Sequence, residues 1–343
     1  MVDSDDEKEM PMYIGLREIR RAAGRFGLMV GVIALLSFLV VALSALTGGL
    51  RDQSVSAVEE LPGAAIAVQK SAGSAVGLVD SRLSDDDVAR LRADDPGAQP
   101  LGIAMSGVGH GVSNSAVAVF GRVGAAAGVR LNSETAAALG VRPGDAVSVG
   151  GVPARVASVG DTGMFAHSPV AEVPIGLWRQ AAHRDDSTAV LLTREVTGID
   201  GVAVVTGSAR LDLIPGYSSE HGSLLLIQGL LLVISAVVVG AFFAVWTGQR
   251  LPSLAVVRAM GASRWYLVRD GLGQAAVVLG AGLVVGAAAG AGVAFAADGA
   301  VPIALTVGGV ALPVVAMAVL GLLGAVLALR PLTSVDPLTA LNR

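Results

Sequence analysis

Residues 223–247 read SLLLIQGLLLVISAVVVGAFFAVWT, a run without Asp, Glu, Lys or Arg. A helix rises about 1.5 Å per residue, so about 20 apolar residues cross the roughly 30 Å hydrocarbon core of a bilayer. This run is long enough to do so, and longer than the stretch of about 10–14 residues expected of a core helix in a globular protein. Segments 26–48, 272–296 and 307–329 are equally long and equally free of charge. The expected fold is therefore an α-helical membrane protein with four transmembrane helices, at 26–48, 223–247, 272–296 and 307–329.

The composition agrees with lipid as the main solvent: 53% of residues are hydrophobic and 15% charged, with a mean hydropathy of +0.68. A net charge of −4 with only two lysines, Lys8 and Lys70, argues against nucleic acid as a partner. The absence of cysteine removes disulfides, thiolate metal sites and cysteine nucleophiles together. The acidic start and the long first apolar run do not read as a cleavable signal peptide, so the first span is expected to stay as an anchor.

Positive charge in short flanking segments gives the direction. Arg17, Arg20, Arg21 and Arg25 precede the first span, Arg250, Arg258, Arg264 and Arg269 separate the second and third, and Arg330 and Arg343 follow the fourth. The remaining short loop, 297–306, carries Asp298 and no basic residue. Segments 1–25, 248–271 and 330–343 are thus expected in the cytoplasm of a bacterial cell (inner) membrane protein, and 49–222 and 297–306 outside. Small residues at Gly282, Gly286 and Gly290, and at Gly27 and Gly31, form ridges that let a neighbouring helix come close. The spacing does not say whether that neighbour lies in the same protomer or in a dimer partner.

Segment 49–222 reads as an extracytoplasmic α+β domain. Strands are expected at 64–69 and 75–80. Ser84 with Asp87 three residues on starts a helix whose apolar face is Val88 and Leu91. A second helix, 133–139, is stopped by Gly140. The turn Pro143-Gly144-Asp145 leads into paired strands at 146–149 and 154–159. Asp85, Asp86 and Asp87 match a helix start rather than a calcium loop. His110, His167 and His183 lack metal-ligand spacing and read as ordinary histidines. No G-x-S-x-G or H-E-x-x-H motif is present, so the chain reads as a non-catalytic subunit.

The chain also lacks a phosphate-binding loop. The lysine followed by Ser or Thr is Lys70, and Gln69 stands where the last glycine is required. None of the spans holds an ionisable group for ion coupling. Active transport would then draw on ATP bound to a separate subunit.

Residues 250–270, RLPSLAVVRAMGASRWYLVRD, resemble the signature of FtsX/MacB-type (type VII) ABC transporter permeases, as does the closing PLTSVDPLTAL at 331–341. The resemblance implies a short coupling helix contacting the ATPase through Leu254, Val257, Arg258, Met260, Gly261 and Arg264. Residues 12–36, MYIGLREIRRAAGRFGLMVGVIALL, and 216–250, GYSSEHGSLLLIQGLLLVISAVVVGAFFAVWTGQR, are similar to HrtB-type haem exporter permeases. That implies a homodimer working with a cytoplasmic HrtA-like ATPase to remove haem from the membrane. Haem is then the transported ligand and not a resident cofactor.

Beside that match, Glu220, His221 and Tyr217 stand at the outer edge of the second span, with Gln228 two turns inside. Haem iron accepts oxygen, nitrogen or thioether ligands, and ionisable groups at a lipid boundary are costly unless used or hydrated. Glu220 is the preferred iron ligand. Met29 is a further substrate-binding candidate, although depth counting puts it near the inner end of the first span. Competing readings are an exporter of peptides, antibiotics or lipoproteins, and an FtsX-like signalling subunit controlling a cell-wall hydrolase.

Overall fold

Long apolar runs form helices here because each backbone N–H and C=O must find its partner within the segment when water is excluded. The computed structural model describes residues 23–197, 199–261, 263–297 and 301–329. Arg17, Arg20, Arg21, Asp298, Arg330, Arg343 and the closing 331–341 segment lie outside the described residues, as do the side chains of Arg25, Leu254, Arg258 and Arg264. In chain order the helices are α1 (Ala23–Glu59), α2 (Asp85–Asp94), α3 (Ser133–Leu139), α4 (Ile175–Ala182), α5 (Tyr217–Ala259), α6 (Arg264–Ala296) and α7 (Val307–Ala328). The chain divides into two units, Leu50–Ser223 and the residues on either side of it.

The flanking residues build a bundle from α1, α5, α6 and α7, four helices long and apolar enough to cross a membrane. The protein is membrane-embedded. Outward positions are apolar as lipid demands, with Leu226, Val307 and Leu312 exposed, while Phe26, Ile33, Val239, Phe243, Leu283 and Met317 fill the interior. The glycine ridge of α6 packs on α1 within this same chain. A Cβ at Gly282 would lie 2.6 Å from the Ile33 side chain, one at Gly286 2.2 Å from the Ala34 carbonyl oxygen, and one at Gly290 3.0 Å from Val41. Ser37 donates its hydroxyl across the same seam to the Leu283 carbonyl, at 3.1 Å. Gly27 and Gly31 face open space. At a second close approach, a Cβ on Gly324 of α7 would meet Gly240 of α5 at 3.1 Å.

Three of these helices exceed their expected limits, α6 by starting at Arg264 rather than 272. The first, α1, continues past 48 to Glu59, because Gly48 and Gly49 pack against the backbone of Pro302 to Ala304 rather than breaking the helix. Its last turns contribute Val55, Ala57 and Val58 to the core of the Leu50–Ser223 unit. The Arg210 guanidinium donates to the carbonyls of Val58, Leu61 and Gly63 at the end of this helix. The second, α5, runs from Tyr217 to Ala259, beyond 223–247 on both sides. Residues 248–259, expected to leave the span and form a short separate coupling helix, instead prolong it. The helix ends where Gly261 takes φ +105.

The Leu50–Ser223 unit is an α+β fold on an eleven-stranded sheet. Its strands are β1 (Ala65–Ser71), β2 (Ser74–Ala75), β3 (Gln99–His110), β4 (Ser113–Arg122), β5 (Val129–Asn132), β6 (Ala146–Val149), β7 (Val152–Gly160), β8 (Met164–Phe165), β9 (Ser168–Pro174), β10 (Ala189–Leu192) and β11 (Val202–Thr206). The order is β11-β1-β10-β3-β4-β9-β5-β7-β6, with β2 on β1, β8 on β9, and β6 also paired with β3. That last pairing, Val108 with Val149 and Gly109 with Ser148, returns the path to β3 and closes the sheet on itself. Inside the closed part lie Val117, Val119, Leu131, Val156 and Trp178.

The Ser84–Asp87 capping box forms as expected, and Gly140 ends α3 in the left-handed conformation. The strand expected at 75–80 does not form. Leu78 instead donates its N–H to Leu213 and is buried in a turn.

The Gly286 contact is closer than any side chain permits. Gly286→Leu is expected to force α1 and α6 apart at a cost of about 1–3 kcal/mol, the usual range for overpacking. Thermal unfolding of the detergent-solubilised protein would show a lowered midpoint, whereas Gly31→Leu should leave it nearly unchanged.

Candidate functional site

At the start of α5, Tyr217, Glu220 and His221 stand at positions i, i+3 and i+4, so they share one helix face. Tyr217 is buried in the sheet-side core. The His221 ring lies flat on it, with centroids 5.2 Å apart and planes 11° from parallel. Glu220 occupies the first turn, where free N–H groups and the helix dipole favour an anion.

Its partner is a residue that the sequence alone left without a role. The Nε2 of His167 lies 3.0 Å from Glu220 Oε2 and 3.1 Å from the Ser54 hydroxyl. With Glu220 ionised, Nε2 must carry the proton and donate to Oε2, because a carboxylate only accepts. Oε1 is then the Glu220 oxygen left for a ligand.

His167 reaches this place through an unusual turn. The strands β8 and β9 are joined by Ala166 and His167, both left-handed at φ +46 and +61. Two positive-φ residues make the hairpin turn that normally selects Asn-Gly, and non-glycine residues there cost on the order of 1–3 kcal/mol each. The turn is held against α1. Ala166 and His167 donate their N–H groups to the carbonyls of Ser54 and Gln53, at 3.1 and 3.0 Å, and Met164 N–H donates to the Ser56 hydroxyl at 2.8 Å. Gly163 makes the approach possible, since a Cβ there would lie 2.8 Å from the Ala57 backbone.

The His167 and Glu220 side chains are 42% and 34% exposed. Even a fully charged pair this wet contributes about 0–1 kcal/mol, less than the strain of the turn. Its contribution is therefore geometric rather than stabilising.

The other predicted residues distribute as follows. Gln228 is half-buried on α5. Met29 is buried in the apolar bundle interior. No group of three or more His, Cys, Asp or Glu side chains able to hold a bare metal ion occurs among the described residues.

At the α5–α6 connection, Met260 is exposed, Val257 is half-buried and Gly261 forms the turn. Leu254 and Arg258 lie in the last turns of α5, and Arg264 opens α6. Just inside this connection is a polar network that the sequence did not reveal. Arg250 donates to Gln274 Oε1 at 2.9 Å, and Gln274 donates to Asp270 Oδ2 at 2.9 Å. The Arg250 guanidinium covers the Trp246 ring at 4.7 Å, and Trp246 meets Phe26 and Phe243 edge-on. Three helices, α1, α5 and α6, are joined by one arginine and one tryptophan.

Residues 225–337 match the family described as FtsX-like permease C-terminal. A hemin transport system permease protein, HrtB, of Staphylococcus haemolyticus (strain JCSC1435) is 30% identical over 144 residues, 42% of this chain and 41% of that protein. The chain thus aligns with less than half the length of that relative. Among solved structures, the extracellular domain of the noncanonic ABC-type transporter YknZ from Gram-positive bacteria is 11% identical at a TM-score of 0.32, covering 42% of this chain and 99% of that one.

Arg250→Ala removes a charge-assisted hydrogen bond, worth about 1.5–3 kcal/mol, and the cation–π contact. Thermal melts in detergent should show a clear loss of stability. Arg250→Lys should restore only part of it, because an ammonium lacks the planar face that covers Trp246.

Proposed function

We propose that this chain is an FtsX/MacB-type ABC permease close to HrtB and the membrane subunit of an ATP-driven exporter of haem, a reading supported by the match of residues 225–337 to the FtsX-like permease family and by the 30% identity over 144 residues to a HrtB permease. ATP hydrolysis belongs to a separate cytoplasmic ABC ATPase, HrtA-like in this reading, docked on the α5–α6 connection through Leu254, Val257, Arg258, Met260, Gly261 and Arg264. The working unit is a homodimer, both termini are cytoplasmic, and the Leu50–Ser223 unit is extracytoplasmic.

The observation that carries the haem reading is the Glu220 carboxylate, fixed by His167 through one oxygen with the other left for iron. The half-buried His221 ring, backed by Tyr217, offers its outer face to a macrocycle. Carboxylate oxygen is a hard ligand suited to ferric iron, and its neutralisation by the metal lowers the cost of a charge near lipid. Met29, buried inside the bundle, is a separate substrate-binding candidate.

Two measurements test this. Haemin titrated into the purified protein should give a Soret band shifted from that of free haemin. Glu220→Ala should weaken that binding at least about tenfold, a change of about 1.4 kcal/mol. A wild-type protein that leaves the haemin spectrum unchanged would refute haem as the ligand. For orientation, the natural lack of cysteine makes single-cysteine labelling clean. Val112→Cys, at a fully exposed hairpin tip, should react with an impermeant maleimide in intact cells, and Met260→Cys only after permeabilisation.

A further inference from the structure

We propose that His167 is a positioning residue for the ligand-binding carboxylate: the strained Ala166-His167 turn holds the imidazole where it fixes Glu220 Oε2 and turns Oε1 toward a metalloporphyrin. This inference rests on the haem reading given above.

A glutamate on the surface of a helix samples several rotamers, and burying it in one costs side-chain entropy. Binding is tighter when that ordering precedes the ligand's arrival. Here the ordering agent is fixed on three sides. The backbone of the turn is bonded to the Gln53 and Ser54 carbonyls, the ring nitrogen also meets the buried Ser54 hydroxyl, and Gly163 lets the hairpin lie against α1. A histidine needed merely for packing would not require a left-handed backbone, nor have its polar edge directed at a carboxylate 53 residues away in sequence. Outer partners that orient a metal ligand commonly change affinity by about 10–100-fold when removed.

The test uses the full-length protein, haemin as probe, and three variants read by Soret titration and thermal melting. His167→Asn keeps a residue that tolerates the left-handed backbone but cannot reach Glu220. His167→Gln keeps an N–H donor at nearly the reach of Nε2. Glu220→Ala is the control for the ligand itself. The expected result for His167→Asn is an affinity reduced about tenfold, with an unchanged Soret maximum and an unchanged melting midpoint. His167→Gln should recover most of the affinity.

Wild-type affinity in His167→Asn, with loss in Glu220→Ala, would overturn the positioning role while leaving the haem site standing. A displaced Soret maximum in His167→Asn would show the histidine to be an iron ligand itself and overturn the role in that way. A lowered melting midpoint with no rescue by His167→Gln would reduce it to a structural part. Failure of the wild type to bind haemin would remove the haem reading and this inference with it.

Discussion

The bundle depends on how closely α6 can approach α1. In lipid no hydrophobic force draws one apolar helix to another, so association rests on van der Waals contact and on hydrogen bonds between helices. Gly282, Gly286 and Gly290 bring the backbones near enough for both. The Ser37 hydroxyl then reaches the Leu283 carbonyl. Once these two helices are registered, Phe26 of α1 has a fixed place beside Trp246 of α5, and the arginine network at the α5–α6 connection has a rigid support. In the proposed exporter such a support would serve a segment that receives force from the ATPase, because a flexible joint would dissipate the motion.

In the Leu50–Ser223 unit, the comparable constraint is the docking of the Met164–Ser168 hairpin on the end of α1. The strain of two left-handed residues persists because the surrounding hydrogen bonds determine the turn more strongly than its own preferences. The outcome is local chemistry: an imidazole, a hydroxyl and a carboxylate from three distant stretches of sequence meet within hydrogen-bond distance.

Much of the architecture was legible in the sequence. Four uncharged runs named the spans, because exclusion of water leaves helix as the available solution. The capping box at Ser84 and the glycine after Leu139 fixed two helix ends, because those signals are local. Helix lengths were less legible: hydropathy marks where lipid contact ends, not where helix ends, and α1, α5 and α6 continue beyond it. The 99–110 and 113–122 strands were missed since glycine, alanine and serine dilute their alternation. Of the candidate site, Tyr217, Glu220 and His221 could be named together because they neighbour one another in sequence. His167 could not, since its partners are Ser54 and Glu220 and its turn lacks the Asn-Gly pair that announces such a hairpin. Arg250 was noticed for its charge alone, because Gln274 reads as an ordinary polar residue inside a span.

Export of haem is the central proposal, and it is tested most directly by reconstituting the protein with the proposed ATPase partner in proteoliposomes preloaded with haemin, then following haemin transferred to an apoprotein acceptor in the surrounding solution. The account predicts ATP-dependent transfer that is lost in Glu220→Ala while ATP hydrolysis continues. Transfer that proceeds equally without ATP, or equally in the variant, would contradict it.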